Sequence, residues 1–148
     1  LGLALLLIQS REATWDLLLD GWGADIAATD RAMQALFDRC AIDPGRVGFG
    51  GFSDGASYAL SLALSNGELV RRVIAFSPGF ERGARRDPKP RVFISHGTAD
   101  RILPIGLTGR RIAERLEEAG YDVTFLEFEG GHEVPPAVSR AAFDWLAR

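Results

Sequence analysis

Apolar runs of strand length alternate along the chain with segments whose apolar residues recur at helical spacing. The runs are residues 3 to 8 (LALLLI), 47 to 52 (VGFGGF), 73 to 76 (VIAF), 92 to 95 (VFIS) and 123 to 128 (VTFLEF). Several are apolar without interruption, as strands buried on both faces are. Between the first two, Ile26, Met33, Leu36, Phe37 and Cys40 fall on one face of a helix predicted over 25 to 40. It should stop near Asp43-Pro44-Gly45, a turn signal. A second helix, residues 54 to 65, is rich in Ala and Leu. Pro104 is predicted to open a third, with Ile105, Ile112, Leu116 and Ala119 on one face and Gly120 as its C-terminal cap. Pro135-Pro136 opens the last, which buries Val138, Ala142, Trp145 and Leu146. This alternation predicts an α/β fold, a three-layer α/β/α sandwich around a mostly parallel sheet.

Residues 77 to 90 (SPGFERGARRDPKP) lack a helical pattern and read as an exposed loop between two strands. No domain boundary is needed there, because neither side could bury a core alone. At 148 residues the chain predicts one domain, 1–148.

Composition changes this picture little: 47% hydrophobic and 25% charged residues are ordinary for a globular protein. A net charge of −3 gives no footprint for nucleic acid. The one basic group, Arg82, Arg85, Arg86, Lys89 and Arg91, reads as a solvated loop. Cys40 is the only cysteine, so an internal disulfide is impossible, and its place on the helix predicts a small buried hydrophobe. His96 and His132 are the only histidines and have no neighbouring ligand cluster, which argues against zinc. LALLLI is shorter than the roughly 20 residues of a membrane helix and reads as a buried strand, so no stable membrane insertion is expected. A cytoplasmic location is the expectation. The start at Leu1, inside an element that reads as core, points to a processed product or, preferably, a fragment.

The candidate chemistry sits in RVGFGGFSDGAS, residues 46 to 57. Ser53 lies between Gly51 and Gly55, where a strand should become a helix. It is either a nucleophile on a sharp turn or a serine that caps the following helix. The pattern G-x-S-x-G is weak alone; its context, strand then turn then helix, agrees. Gly51 and Gly55 would remove Cβ atoms that collide with the strand and helix. A serine hydroxyl needs a base, normally a histidine oriented by a carboxylate. Asp100 follows the strand at 92 to 95 and His132 follows the strand at 123 to 128, so all three leave the sheet at one edge, where open parallel sheets bind ligands. Asp100 could also serve only a turn, and His132 only a surface loop. His96, four residues before Asp100, reads as structural, holding the acid loop or lining the pocket.

The segments GGFSDGAS, SHGTADRILP and EFEGGHEVP together resemble the α/β-hydrolase superfamily, and within it the phospholipase/carboxylesterase branch of small serine esterases. The resemblance implies an esterase in which Ser53 attacks an ester carbonyl, His132 moves the proton and Asp100 orients the imidazole. It implies a small-molecule ester substrate, carboxylic esters or lysophospholipids, and no metal or organic cofactor; the oligomeric state stays open. Thioesters and peptides use the same three residues. The backbone N–H of Asp54 would serve the oxyanion hole, its carboxylate being unfavourable there unless turned toward solvent. The second donor would come from an earlier loop. Residues 3 to 8 match the fold's fourth strand, which implies a partial domain lacking the first three strands, either gapped or with residues 3 to 8 paired directly to 47 to 52. Such a piece would be weakly active. Trp15 and Trp22 would line an acyl pocket or anchor the core. The alternative is a non-catalytic α/β-hydrolase relative that binds a small molecule or partner without turnover.

Overall fold

The structure is a computed structural model and describes residues 2–19, 21, 23–83 and 87–148. Trp22, Arg85, Arg86 and Leu1, which carried expectations above, lie outside the described residues. The chain divides into two compact units, 1–44 and 45–148.

The first unit holds helices α1 (Asp16–Leu19) and α2 (Ala24–Arg39). Their starts are tied reciprocally: the Asp16 amide donates to Asp25 Oδ2 and the Asp25 amide to Asp16 Oδ2, both at 2.8 Å. Each carboxylate thereby satisfies an amide at or near the other helix's first turn, where amides lack intrahelical acceptors. The predicted apolar stripe of α2 is only half covered; Asp25 and Thr29 are its buried residues. Cys40 is exposed at the C-cap, contrary to the expected burial, because the chain leaves the helix there in an extended conformation. Trp15 is half-buried in this unit.

Residues 2 to 10 form no strand. Leu3, Leu5 and Leu7 are 61%, 70% and 84% exposed, so the expected buried strand is not present. The physical reason is that an apolar run becomes a strand only where a neighbour satisfies its amides and carbonyls. The first unit has no other strand among its described residues, and the sheet is built wholly from the second.

That sheet has four parallel strands in sequential order: β1 (Gly48–Phe52), β2 (Arg72–Phe76), β3 (Arg91–Gly97) and β4 (Val123–Phe128). Alternate side chains point to opposite faces. Val73, Ala75, Val92 and Ile94 meet helix α3 (Asp54–Ser65) and helix α4 (Gly109–Glu118) on one face. Ile74, Phe93 and half-buried Phe76 meet Ala142 and Trp145 of α5 (Pro136–Leu146) on the other. The second unit is therefore the expected three-layer sandwich.

Two local readings need correction. Helix α4 starts at Gly109 and not at Pro104, because residues 104 to 108 close tight turns first: the Leu107 amide bonds the Pro104 carbonyl, and Thr108 Oγ1 donates to it at 3.0 Å. The 77–90 loop has no helix or strand among its described residues, but it begins buried at Ser77 and Pro78. A serine ladder on α3 holds it. Ser57 Oγ accepts from the Gly79 and Phe80 amides at 2.9 and 3.3 Å, and Ser61 Oγ from the Arg82 amide at 2.9 Å. Farther on, Arg82 and Lys89 are exposed, as a solvated loop requires, but Arg91 does not belong to it: half-buried at the start of β3, its Nε donates to Asp122 Oδ2 at 2.8 Å.

Candidate active site

Strand β1 ends at Phe52 and α3 begins at Asp54, so Ser53 alone makes the turn. Its backbone has φ 57° and ψ −122°, a positive φ rare outside glycine. Local bonds hold it there: its amide donates to the Phe76 carbonyl at 2.9 Å, and its carbonyl accepts from the Ala56 and Ser57 amides at 3.0 Å. A Cβ on Gly51 would lie 2.3 Å from the Gly55 carbonyl carbon and oxygen and 2.8 Å from the Ala56 nitrogen. Strand and helix thus approach so closely that position 51 must be glycine. Ser53 occupies the N-cap position of α3 but makes no side-chain cap hydrogen bond. Its hydroxyl goes elsewhere.

Ser53 Oγ lies 2.8 Å from His132 Nε2, and His132 Nδ1 lies 2.7 Å from Asp100 Oδ2. The three candidates, distant in sequence, are joined in one hydrogen-bonded chain at the C-terminal edge of the sheet. An ionised carboxylate can only accept, so Nδ1 carries the proton and Nε2 is left to accept from the serine hydroxyl. The Phe52 ring packs 4.7 Å from the imidazole, centroid to centroid, at 37°.

Asp100 combines the turn role and the imidazole contact. Oδ1 accepts from the Ile102 and Leu103 amides at 2.9 and 2.8 Å, while Oδ2 faces His132. Burial, the largest single influence, pushes this carboxyl up; the Leu103 amide, the hydrogen bond from His132, the Ile102 amide and the His132 charge together outweigh it and hold it below the usual aspartate value. It stays a carboxylate at neutral pH.

The loops bearing Asp100 and His132 are bonded to each other. The Thr98 amide donates to the Phe128 carbonyl and the Ala99 amide to the Gly130 carbonyl, each at 2.9 Å. A Cβ on Gly97 would come within 2.3 Å of the Gly131 oxygen and 2.5 Å of the Gly130 oxygen. Sequence reasoning overlooked Gly97. The available signal was a glycine ending a strand whose following loop carries the acid.

Asp54 is exposed in the first turn of α3, so its carboxylate can face solvent, and the charge is favoured at the positive end of the helix. Gly55 is the next residue, and its carbonyl is what a side chain at position 51 would strike. Ser57 Oγ donates to the Ser53 carbonyl at 3.3 Å, so the residue that anchors the 79–80 amides also touches the turn. The arrangement can draw a proton from the Ser53 hydroxyl to an imidazole whose developing positive charge is met by a carboxylate.

A family profile described as phospholipase/carboxylesterase matches residues 23–147. No curated protein sequence matches the chain. Among solved structures, the chain is similar to esterase PE8 at 24% identity and a TM-score of 0.69, over 83% of this chain and 59% of that one. It is similar to acyl-protein thioesterase 2 of Zea mays at 20% identity and 0.62, over 83% and 65% respectively. It is also similar to MGS-M1, an alpha/beta hydrolase enzyme from a Medee basin deep-sea metagenome library, at 20% and 0.67, over 82% and 63%. The chain thus spans about three fifths of the length of these structures, and at such identities the likeness shows the fold.

Proposed function

Because the chain belongs to the phospholipase/carboxylesterase family of α/β-hydrolases, we propose that it carries the machinery of a serine hydrolase that cleaves carboxylic esters, with Ser53 as nucleophile, His132 as base and Asp100 as the acid that orients it. The observation that carries this is the succession Ser53 Oγ to His132 Nε2 at 2.8 Å and His132 Nδ1 to Asp100 Oδ2 at 2.7 Å. Three polar groups on three separate loops meet in the order proton transfer requires.

Ser53 Oγ attacks the ester carbonyl carbon and its proton passes to His132 Nε2. The carbonyl oxygen, now an oxyanion, is met by the Asp54 amide at the start of α3. As the C–O bond breaks, Nε2 returns the proton to the leaving alcohol and an acyl-Ser53 ester remains. Water then attacks that ester, gives a proton to Nε2 and releases the acid; the proton returns to Ser53. Asp100 keeps its charge throughout, stabilising the imidazolium.

A carboxylesterase or lysophospholipase type of substrate is proposed on the family alone; a thioester is drawn in by the Zea mays neighbour. Turnover of p-nitrophenyl acetate, a longer p-nitrophenyl ester and an acyl thioester by wild type and Ser53→Ala tests the reading. Hydrolysis that disappears with Ser53 supports it. Hydrolysis that survives Ser53→Ala at the wild-type rate overturns it.

A further inference from the structure

His96 is fully buried at 0% exposure, and the proton relay does not use it. It lies near the end of β3, and its Nε2 is 2.8 Å from the Leu103 carbonyl oxygen and 3.2 Å from Asp100 Oδ2. Both partners can only accept, so Nε2 bears the proton and is shared between them. Asp100 Oδ2 is consequently met by two imidazoles, His132 at 2.7 Å and His96 at 3.2 Å. Leu103 is gripped from both ends: its amide donates to Asp100 Oδ1 at 2.8 Å and its carbonyl accepts from His96. The far side of the ring is fixed too. Gly109 packs on it so closely that a Cβ there would sit 2.5 Å from Nδ1. Glu127, the register partner of His96 on β4, is engaged by Arg110 through two hydrogen bonds of 2.7 Å, which leaves Asp100 as the carboxylate that His96 contacts.

Resting on the hydrolase reading above, we infer that His96 is a positioning residue: its Nε2–H holds the Asp100 carboxylate and the 100–103 turn so that Oδ2 stays aimed at His132. An orienting group of this kind acts through the ligand it fixes. Its loss should appear in kcat, with KM little changed, because substrate does not touch it.

The test compares His96→Gln, which keeps a donor near the Nε2 position, with His96→Met, which fills similar space without one. With the relay misaimed, His96→Met should lose about tenfold to a hundredfold in kcat while His96→Gln stays within about threefold of wild type. The low-field proton resonance of the His132 Nδ1–H shared with Asp100 should persist in wild type and His96→Gln and vanish or move upfield in His96→Met. Equal behaviour of the two variants, or a resonance unchanged in His96→Met, overturns the inference. Should neither variant fold, nitrogen-15 spectra of wild type decide: a protonated, exchange-protected Nε2 on His96 supports it, and the opposite tautomer overturns it. Labelling of wild-type Ser53 by a fluorophosphonate reports separately on the hydrolase reading, so the two failures are distinguishable.

Discussion

Replacing Ser53 with glycine should make the protein more stable than replacing it with alanine. Both changes remove Oγ and its 2.8 Å contact to His132, so their difference isolates the backbone. Residue 53 has φ 57° with ψ −122°, whereas the left-handed region open to ordinary residues has ψ near +30° to +60°. Holding a residue with a Cβ in such a sparsely populated region costs about 1–3 kcal/mol. Glycine escapes that cost but loses about 0.5–1 kcal/mol through its freer unfolded chain. The net expectation is that Ser53→Gly exceeds Ser53→Ala by about 1 kcal/mol, which for a chain of this size is roughly 4 °C in Tm. Thermal melts and urea titrations of the two variants measure it, and neither depends on activity. If Ser53→Ala proves as stable as Ser53→Gly or more so, the turn is unstrained and Ser53 is not held in a costly backbone conformation.

Two further outcomes follow from the loops behind the serine. Gly97→Ala places a Cβ against the backbone oxygens of Gly130 and Gly131, which cannot swing aside as a side chain would. It should destabilise by about 1–3 kcal/mol in urea titrations and lower activity by parting the acid and histidine loops. Asp100 has a folded pKa below its ordinary value of 3.8, so its contribution to stability is fully present above that value and is lost as pH falls through the lower folded one. The urea midpoint of wild type should therefore fall more steeply than that of Asp100→Asn as pH drops below 3.8. Parallel pH profiles would contradict the assignment.

The four strands of the second unit were legible because each is an apolar run flanked by turn residues; the central β2 and β3 are buried on both faces as such runs predict, whereas β1 and β4, at the sheet's edges, are only partly covered. Ser53, Asp100 and His132 were legible for a related reason. Each follows a strand, and parallel strands deliver the residues after them to one edge. LALLLI misled because hydrophobicity marks a candidate strand but not whether a neighbour exists to pair with it. The start of α4 misled because Pro104 fits a first helical turn as well as a tight turn, and the choice rests on where Thr108 Oγ1 finds its acceptors, Pro104 and Leu103. The Gly97 contact and the hold of His96 on Asp100 depend on distances between segments about 30 residues apart or on the path of a loop, which no local pattern encodes.

The most direct measurement is mass spectrometry of the protein after reaction with a fluorophosphonate, with the adduct mapped by peptide. The adduct should lie on Ser53, be absent in Ser53→Ala and form far more slowly in His132→Ala, which lacks the base 2.8 Å from Oγ. An adduct on another residue, or one that forms on Ser53 at the same rate without His132, would contradict the account.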